Sequence, residues 1–456
     1  MADEQKQAVR EIEALLDAGD VSALREELKD QRSSDLAEIV SLVDNDQRRM
    51  LFDALEKAVS AEVLEKVDEA TRGELFEILE DEELTSLISH LDADDAADVL
   101  LELDEDEIAE VLEHIPPEES AQIRDLMSYP EDSAGGIMDP VLISVRDDAT
   151  ISEAINKMRS AEIDEDFYSV FVVDKAGKFL GDVRLRHLLT RPVNTRVNEM
   201  IDPDTIYVVV ADDQERVRNV FRDNDLIVVP VLDRQHRLVG RITADRVIEV
   251  ADEEAAEDIY AMAGTDADEL DDVSTLRAAR IRMTWLLPCL VGTGVTALVM
   301  MYFKAHSVEV YIAAAAFVPM IAAISGNAGL QTSAIVVSGL ATGHLAAERL
   351  SQVFSREVRI ALLVAASCGV FGGLACSLLV HLKNSSAAVD PVRLVIAFGS
   401  AMFSAIMVAT TLGLFLPFLF RRIGIDPAIS SGPLVTTAND SISVAIYLSL
   451  TLLLVG

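Results

Sequence analysis

Apolar residues are distributed along this chain in three different rhythms. From residue 283 onward they form about five long runs, near 283–303, 308–338, 360–380, 394–420 and 433–455. As helices, runs of this length cross roughly 30 Å of hydrocarbon. Up to about residue 128 the apolar clusters are short and return at roughly 12-residue intervals: Leu75-Phe76, Leu84 to Ile88, Ala97 to Leu101 and Ile108 to Leu112, bounded by Asp and Glu. Between these regions strand-like and helix-like runs alternate and then repeat. VLISV (141–145), TISEAINKM, SVFVVD and KFLGDV are echoed by IYVVV (206–210), QERVRNVF, IVVPVLD and RLVGRI. Phe179-Leu180-Gly181 and Leu238-Val239-Gly240 are 59 residues apart, whereas Val145 and Val210 are 65 apart, so the first copy carries an insertion of about six.

These rhythms predict a multidomain membrane protein. The short N-terminal helices cannot bury their faces alone, so they are expected to stack as a small superhelical array resembling an armadillo-type solenoid, over 1–128. The duplicated pattern resembles a tandem pair of α/β CBS modules, 139–200 and 201–250. A long connecting helix is expected within 244–282, followed by an all-α domain of five spans over 283–456.

Charge divides the chain at the same place. Of 38 Lys+Arg and 78 Asp+Glu, residues 1–282 hold 30 and 72, and the remainder holds 8 and 6. A surface this negative repels phosphate backbones, which excludes nucleic acid as a partner. Arg277, Arg280, Arg282, Arg349, Arg356, Arg359, Arg421 and Arg422 flank one side of the spans, against Lys304, Lys383 and Arg393 on the other. With five spans, the positive-inside rule then sets the acidic half in the cytoplasm and the C-terminus outside the plasma (inner) membrane. The opening MADEQKQAVREIEALL lacks the pattern of a secretory signal, which agrees with that orientation. Cys289, Cys368 and Cys376 lie singly in apolar runs and read as small buried hydrophobes. No nucleophile and base constellation is visible, and the seven histidines show no ligand spacing, so an enzyme is disfavoured.

Candidate chemistry concentrates in few places. The second run contains Pro319 and then Ser325-Gly326-Asn327-Ala328-Gly329-Leu330-Gln331, which suggests unwound backbone whose carbonyls could face a cation. A glycine-rich packing kink is the alternative. Gly369 and Gly373 are assigned to helix packing. Asp440 is the only acid well inside an expected span, and no Lys or Arg shares its segment. A carboxylate at that depth costs several kcal/mol unless it meets water, a partner or an ion. It therefore reads as a cation-pathway residue, or else as a hydrated group near an interface. Asp94 and Asp98 fall at i and i+4 and repel unless a cation lies between them, although a solvated acidic face explains such a pair equally well. Glu249, Glu253, Glu254, Glu257 and Asp258 crowd the connecting helix, where a hard divalent ion would be an effective bridge.

The order of parts, with PMIAAISGNAGLQ (319–331) and DPAISSGPLVTTAND (426–440), resembles the MgtE family of magnesium channels over nearly the whole chain. The resemblance implies a homodimer in the lipid bilayer with one pore on its two-fold axis, passive Mg²⁺ uptake, and closure when cytosolic Mg²⁺ draws the acidic domains together. It assigns the pore to Asp440, Gly326, Asn327 and the carbonyl of Thr436. It assigns Mg²⁺ sensing to Asp94, Asp98, Glu254, Glu257, Asp258 and Asp426, to which the crowding of acids on the connecting helix adds Glu249. Ser325 stands where the family commonly has glycine, and Gly432 where asparagine is frequent. CBS pairs often bind adenine nucleotides such as ATP, but no nucleotide motif is visible, so only regulatory sensing is inferred. The alternatives are a transporter of other divalent ions (Co²⁺, Mn²⁺, Ca²⁺) and a membrane-anchored CBS sensor that transports nothing.

Overall fold

The computed structural model describes residues 12, 14–29, 31–160, 168–202, 204–266, 269, 275–341, 345, 350–382, 390–430 and 432–455. Arg349 and Lys383, used above for orientation, and residues 270–274 of the connecting segment lie outside them. The chain divides into two compact units, Met1–Asp252 and Glu253–Gly456.

The first unit begins with helices α1 (Val21–Leu28), α2 (Ser33–Leu42), α3 (Asn45–Ala54), α4 (Lys57–Lys66), α5 (Glu69–Ile78), α6 (Asp81–Ile88), α7 (Ala93–Leu101), α8 (Glu105–His114) and α9 (Pro117–Leu126). Their N-caps are Asp20, Arg32, Asp44, Glu56, Asp68, Glu80, Asp92, Asp104 and Pro116, a repeat of 12 residues without slippage. Helices of 8 to 10 residues are marginal in isolation. Two features offset this. Acids at the caps satisfy the orphan amides and complement the helix dipole, as where Gln47 N donates to Asp44 at 3.0 Å and Thr71 N to Asp68 at 2.9 Å. Helices two apart also pack together, α1 with α3, α2 with α4, α3 with α5 and α4 with α6, burying Leu24, Leu36, Leu51, Leu64, Leu75 and Ile88. Arg48 and Arg72 are tied into the stack, donating to the carbonyls of Val40 and Leu64 at 2.8 and 2.9 Å. Much of the acidity therefore has a structural origin in helix capping.

The duplication forms two three-stranded sheets of identical topology. In the first, β1 (Ser144–Arg146) pairs parallel with β2 (Ser169–Val173), which pairs antiparallel with β3 (Phe179–Arg184). In the second, β4 (Val208–Val209), β5 (Val228–Leu232) and β6 (Leu238–Thr243) do the same. Each sheet has a register shift at the matching place, Val172/Val173 and Val231/Leu232, beside Gly181 and Gly240. The glycines have a steric reason: a Cβ on Gly181 would lie 2.3 Å from the Asp202 carbonyl, and one on Gly240 would lie 2.8 Å from Met138 Sδ. Helices α10 (Ile151–Ser160), α11 (Leu185–Thr190) and α12 (Gln214–Asn224) cover the sheets. The first module keeps its own apolar core, while the core of the second is continuous with that of the helical array.

From β6 the chain enters α13 (Ala244–Ala263). This helix ends 19 residues before the expected limit of 282, because Gly264 adopts φ 78°. Gly264 N bonds Ala261 O at 3.1 Å and Thr265 N bonds Tyr260 O at 3.0 Å, a Schellman stop. Residues 275–282 instead belong to α14 (Thr275–His306), and Arg282 Nε donates to Glu269 at 2.7 Å.

Among the described residues, five helices of the second unit are long and apolar enough to cross a membrane. They are α14, α16 (Val318–Ala341), α17 (Leu350–Leu382), α18 (Pro391–Arg422) and α19 (Pro433–Val455), with the short α15 (Val308–Ala315) preceding α16. The expected run 308–338 is thus two helices. The expected unwinding at 325–331 is absent: α16 is continuous, since Pro319 occupies its first turn and a helical glycine costs only about 1 kcal/mol. Helix α18 contacts α16, α17 and α19 and buries Phe398, Ala401, Met402, Ala405 and Ile406. Its close contacts need glycine. A Cβ on Gly413 would lie 2.3 Å from Gly329 O, and Cβ atoms on Gly369 or Gly399 would each lie 2.9 Å from the other's carbonyl. We predict that Gly413→Val costs about 3 kcal/mol or more by forcing α18 off α16. Thermal denaturation in detergent should show the loss, whereas Gly294→Ala, with nothing within 4 Å of the new methyl, should melt at or slightly above the parent.

Candidate ion pathway

Helix α19 carries Asp440 seven residues after its first residue, Pro433, or about 10 Å along the axis at 1.5 Å per residue. It faces α16 where α16 lacks a side chain. A Cβ on Gly326 would lie 3.3 Å from Thr436 Cγ2 and 3.7 Å from Asp440 Oδ1. Three of the four residues expected at the pore therefore meet in space: Asp440 and Thr436 at i and i−4 on one face of α19, and Gly326 opposite. Asn327, the fourth, is exposed on α16 beside them. The role expected for freed Gly326 and Thr436 carbonyls changes, because both residues lie within helices. What Gly326 supplies is space beside the carboxylate. Glu357 is also buried, but in the first two turns of the 33-residue α17, between Arg356 and Arg359.

A polar cluster adjoins this face. Asn439 Nδ2 donates to Ser325 Oγ at 3.0 Å, Ser443 Oγ to Asn439 Oδ1 at 3.2 Å, and Ser325 Oγ reaches Ile321 O at 2.7 Å and Ser443 Oγ at 2.9 Å. Sequence reasoning noted Ser325 only as a departure from glycine and passed over Asn439 and Ser443. Their signal was polar residues four apart in an otherwise apolar span.

The acids of the first unit are arranged differently from the expected Asp94–Asp98 pair. Asp98 is bound by Arg246 of α13 at 2.7 Å, and the same guanidinium reaches Glu249 at 3.2 Å. Asp94 instead is half-buried. Burial, then the charges of Asp95, Asp139 and Asp92, push its carboxyl up to about 8. Asp95, which the sequence did not single out, is pushed up to about 7 by burial and by Glu65, Asp92 and Asp98. Two of the raised acids are thus neighbours on α7.

In the second unit Glu257 is raised above the usual carboxylate range by partial burial, then by Glu254, Asp426, Asp258 and Asp266. This brings together four of the predicted sensing residues. The same helix end is seated on the Asp440 helix: a Cβ on Gly432 would lie 2.8 Å from Met262 O, and Ala261 packs with Val337 and Ala428. Among the described residues no three His, Cys, Asp or Glu groups converge as a ready-made metal site. The acids fit a hydrated ion better than a stripped one, since Mg²⁺ keeps most of its waters.

Three families match the chain: the MgtE intracellular N domain at 31–132, the CBS domain at 134–194 and MgtE, described as a divalent cation transporter, at 318–450. The magnesium transporter MgtE of Thermus thermophilus is 34% identical over 336 residues, covering 73% of this chain and 72% of that protein. Its namesake from Enterococcus faecalis is 33% identical over 331 residues, covering 72% and 70%. A crystal structure of the soluble part of a magnesium transporter matches with TM-score 0.50 and 25% identity, over 55% of this chain and 99% of that one. The cytosolic domain of the Mg²⁺ channel MgtE in complex with ATP matches with TM-score 0.51 and 33% identity, over 53% and 99%. This chain belongs to the MgtE family of divalent cation transporters.

Proposed function

We propose that this chain is a passive magnesium channel of the cell membrane, gated by cytosolic Mg²⁺. The observation that carries the proposal is the juxtaposition of Asp440, Thr436 and Gly326 within the apolar helices. One carboxylate from each chain makes half of a shell, and two copies on a two-fold axis complete it around hexahydrated Mg²⁺. The homodimer has further support from α14, which buries none of its residues within one chain. Such a pore selects by charge and hydrated size. Two charges moving down the membrane potential release about 4.6 kcal/mol per 100 mV, so no other energy source is needed. The N-terminal and CBS domains lie in the cytoplasm, and the C-terminus outside.

Gating follows from where acids crowd together. Glu254, Glu257, Asp258 and Asp426 surround the end of α13 that rests against α19, so ions bridging them hold that end in place. Asp94 and Asp95 add a second crowded pair on α7. Mg²⁺ neutralises both sets and favours closure, and at low Mg²⁺ repulsion loosens them and the pore opens. A similar cytosolic domain is solved with ATP, which makes ATP the first nucleotide to test on the CBS pair.

Proteoliposome flux is the direct test of transport. Asp440→Ala should lower Mg²⁺ uptake at least about 50-fold, and intact flux would remove Asp440 from the pathway. Uptake of Co²⁺, Mn²⁺ or Ca²⁺ exceeding that of Mg²⁺ would favour the broader transporter instead. A second test concerns Asp94. Its folded pKa of about 8 lies above its unfolded value of about 3.8, so the folded state retains a proton that the unfolded state loses. Stability therefore falls as pH rises from about 4 to about 8, and the loss is complete above that window. Without divalent ions, Asp94→Asn should melt at least about 4 °C above the parent at high pH and equally near pH 4, which corresponds to a few kcal/mol. Added Mg²⁺ should stabilise the parent more than the variant. Identical melting at both pH values would contradict this placement of the charge.

A further inference from the structure

We infer that Ser325, Asn439 and Ser443 form a dry hydrogen-bonded clasp between α16 and α19 that positions the Asp440 carboxylate for its ion and sets its affinity and selectivity. The inference rests on the pore reading above. All three side chains are 0% exposed. Polar groups inside a bundle of this kind are costly unless paired, and apolar residues of the same size could fill the space, so their presence needs a geometric reason.

That reason lies in the facing of α19. Asn439 and Ser443 are i and i+4 on one stripe, and Thr436 and Asp440 are i and i+4 on the next, about 100° round the helix. On α16 the successive residues Ser325 and Gly326 meet these two stripes separately. Rotating α19 by one residue in one sense would drive Asp440 toward Ser325 and carry Asn439 off it, and in the other sense would turn Asn439 toward Gly326 and carry Asp440 off that opening. The clasp resists either rotation. Asn439 donates to Ser325 and accepts from Ser443, and Ser325 spends its single proton on Ile321 O or Ser443 Oγ. The trio is neutral and internally satisfied, so it does not compete for the cation.

The residue after Asp440 is held as well. Ser441 Oγ lies 2.7 Å from Thr296 Oγ1 and donates to Gly292 O at 3.2 Å, tying α19 to α14. Both chain neighbours of Asp440 are thus fixed to other helices. Among the described residues no donor reaches the Asp440 carboxylate itself. Ser325, Asn439 and Ser443 are positioning residues, acting through Asp440.

The test uses the full chain in proteoliposomes, with Mg²⁺ and Co²⁺ as probes and initial flux read against concentration. Asn439→Leu, similar in size and without hydrogen bonds, should raise the half-saturating Mg²⁺ concentration at least about tenfold. Maximal flux should stay within about threefold of the parent, and the preference for Mg²⁺ over Co²⁺ should shrink. A defect of folding alone would lower maximal flux and leave half-saturation and preference where they were. Should Asn439→Leu fail to fold, Ser325→Ala, which removes one hydroxyl, should raise half-saturation about threefold. Half-saturation and preference both unchanged in a folded variant would overturn the clasp while leaving the channel standing. Absence of Mg²⁺ flux from the parent would overturn the channel and the clasp together.

Discussion

A carboxylate held among apolar helices is stable only if something meets its charge, and the membrane half of this chain is arranged around that constraint at Asp440. Ordinary solutions are absent: no Lys or Arg shares its helix, and among the described residues no donor reaches it. What surrounds it is room made by Gly326, the Thr436 methyl one turn away, and neighbours in sequence that are fixed to other helices. Small residues elsewhere serve the same end. The approaches at Gly413 and Gly329, and at Gly369 and Gly399, bring α16, α17 and α18 close enough to hold α19 in one orientation.

The same physics, with water present, governs the acidic half. Many of its acids have a structural use, because short helices repeating every 12 residues employ them as caps, first-turn charges and partners for arginines such as Arg48 and Arg72. Compensation fails in few places. Asp94 and Asp95 are half-buried beside further acids, and Glu257 stands among Glu254, Asp426, Asp258 and Asp266. These exceptions, and not the net charge of -40, are where a divalent cation would gain most. The second group lies at the helix end that rests against Gly432 and Pro433, where the Asp440 helix begins.

Features set by period were legible in the chain. Five apolar runs, a 12-residue helical rhythm and a duplicated strand pattern persist over many residues, so local exceptions do not hide them. Asp440 was legible because it is a charge where charge is costly. The errors came from residues whose meaning depends on distant partners. Asp98 looked paired with Asp94 on one face, but its partner is Arg246, 148 residues away. The glycines at 326 and 329 suggested unwinding, yet they serve close approach within an intact helix. Gly264 was a stop signal overlooked because the acidic pattern seemed to continue past it. Asn439 and Ser443 became intelligible only once Ser325 was seen across from them.

The most direct measurement is the position of the ion. Electron cryomicroscopy of the full chain in lipid nanodiscs, with cobalt hexammine as a stand-in for hexahydrated Mg²⁺, would locate it. Density is expected between Gly326, Thr436 and Asp440, with the metal about 4–5 Å from the Asp440 oxygens, as one shell of ligands requires. Ions elsewhere in the membrane half, with Asp440 hydrogen-bonded to protein or turned to lipid, would contradict a pore built on this carboxylate.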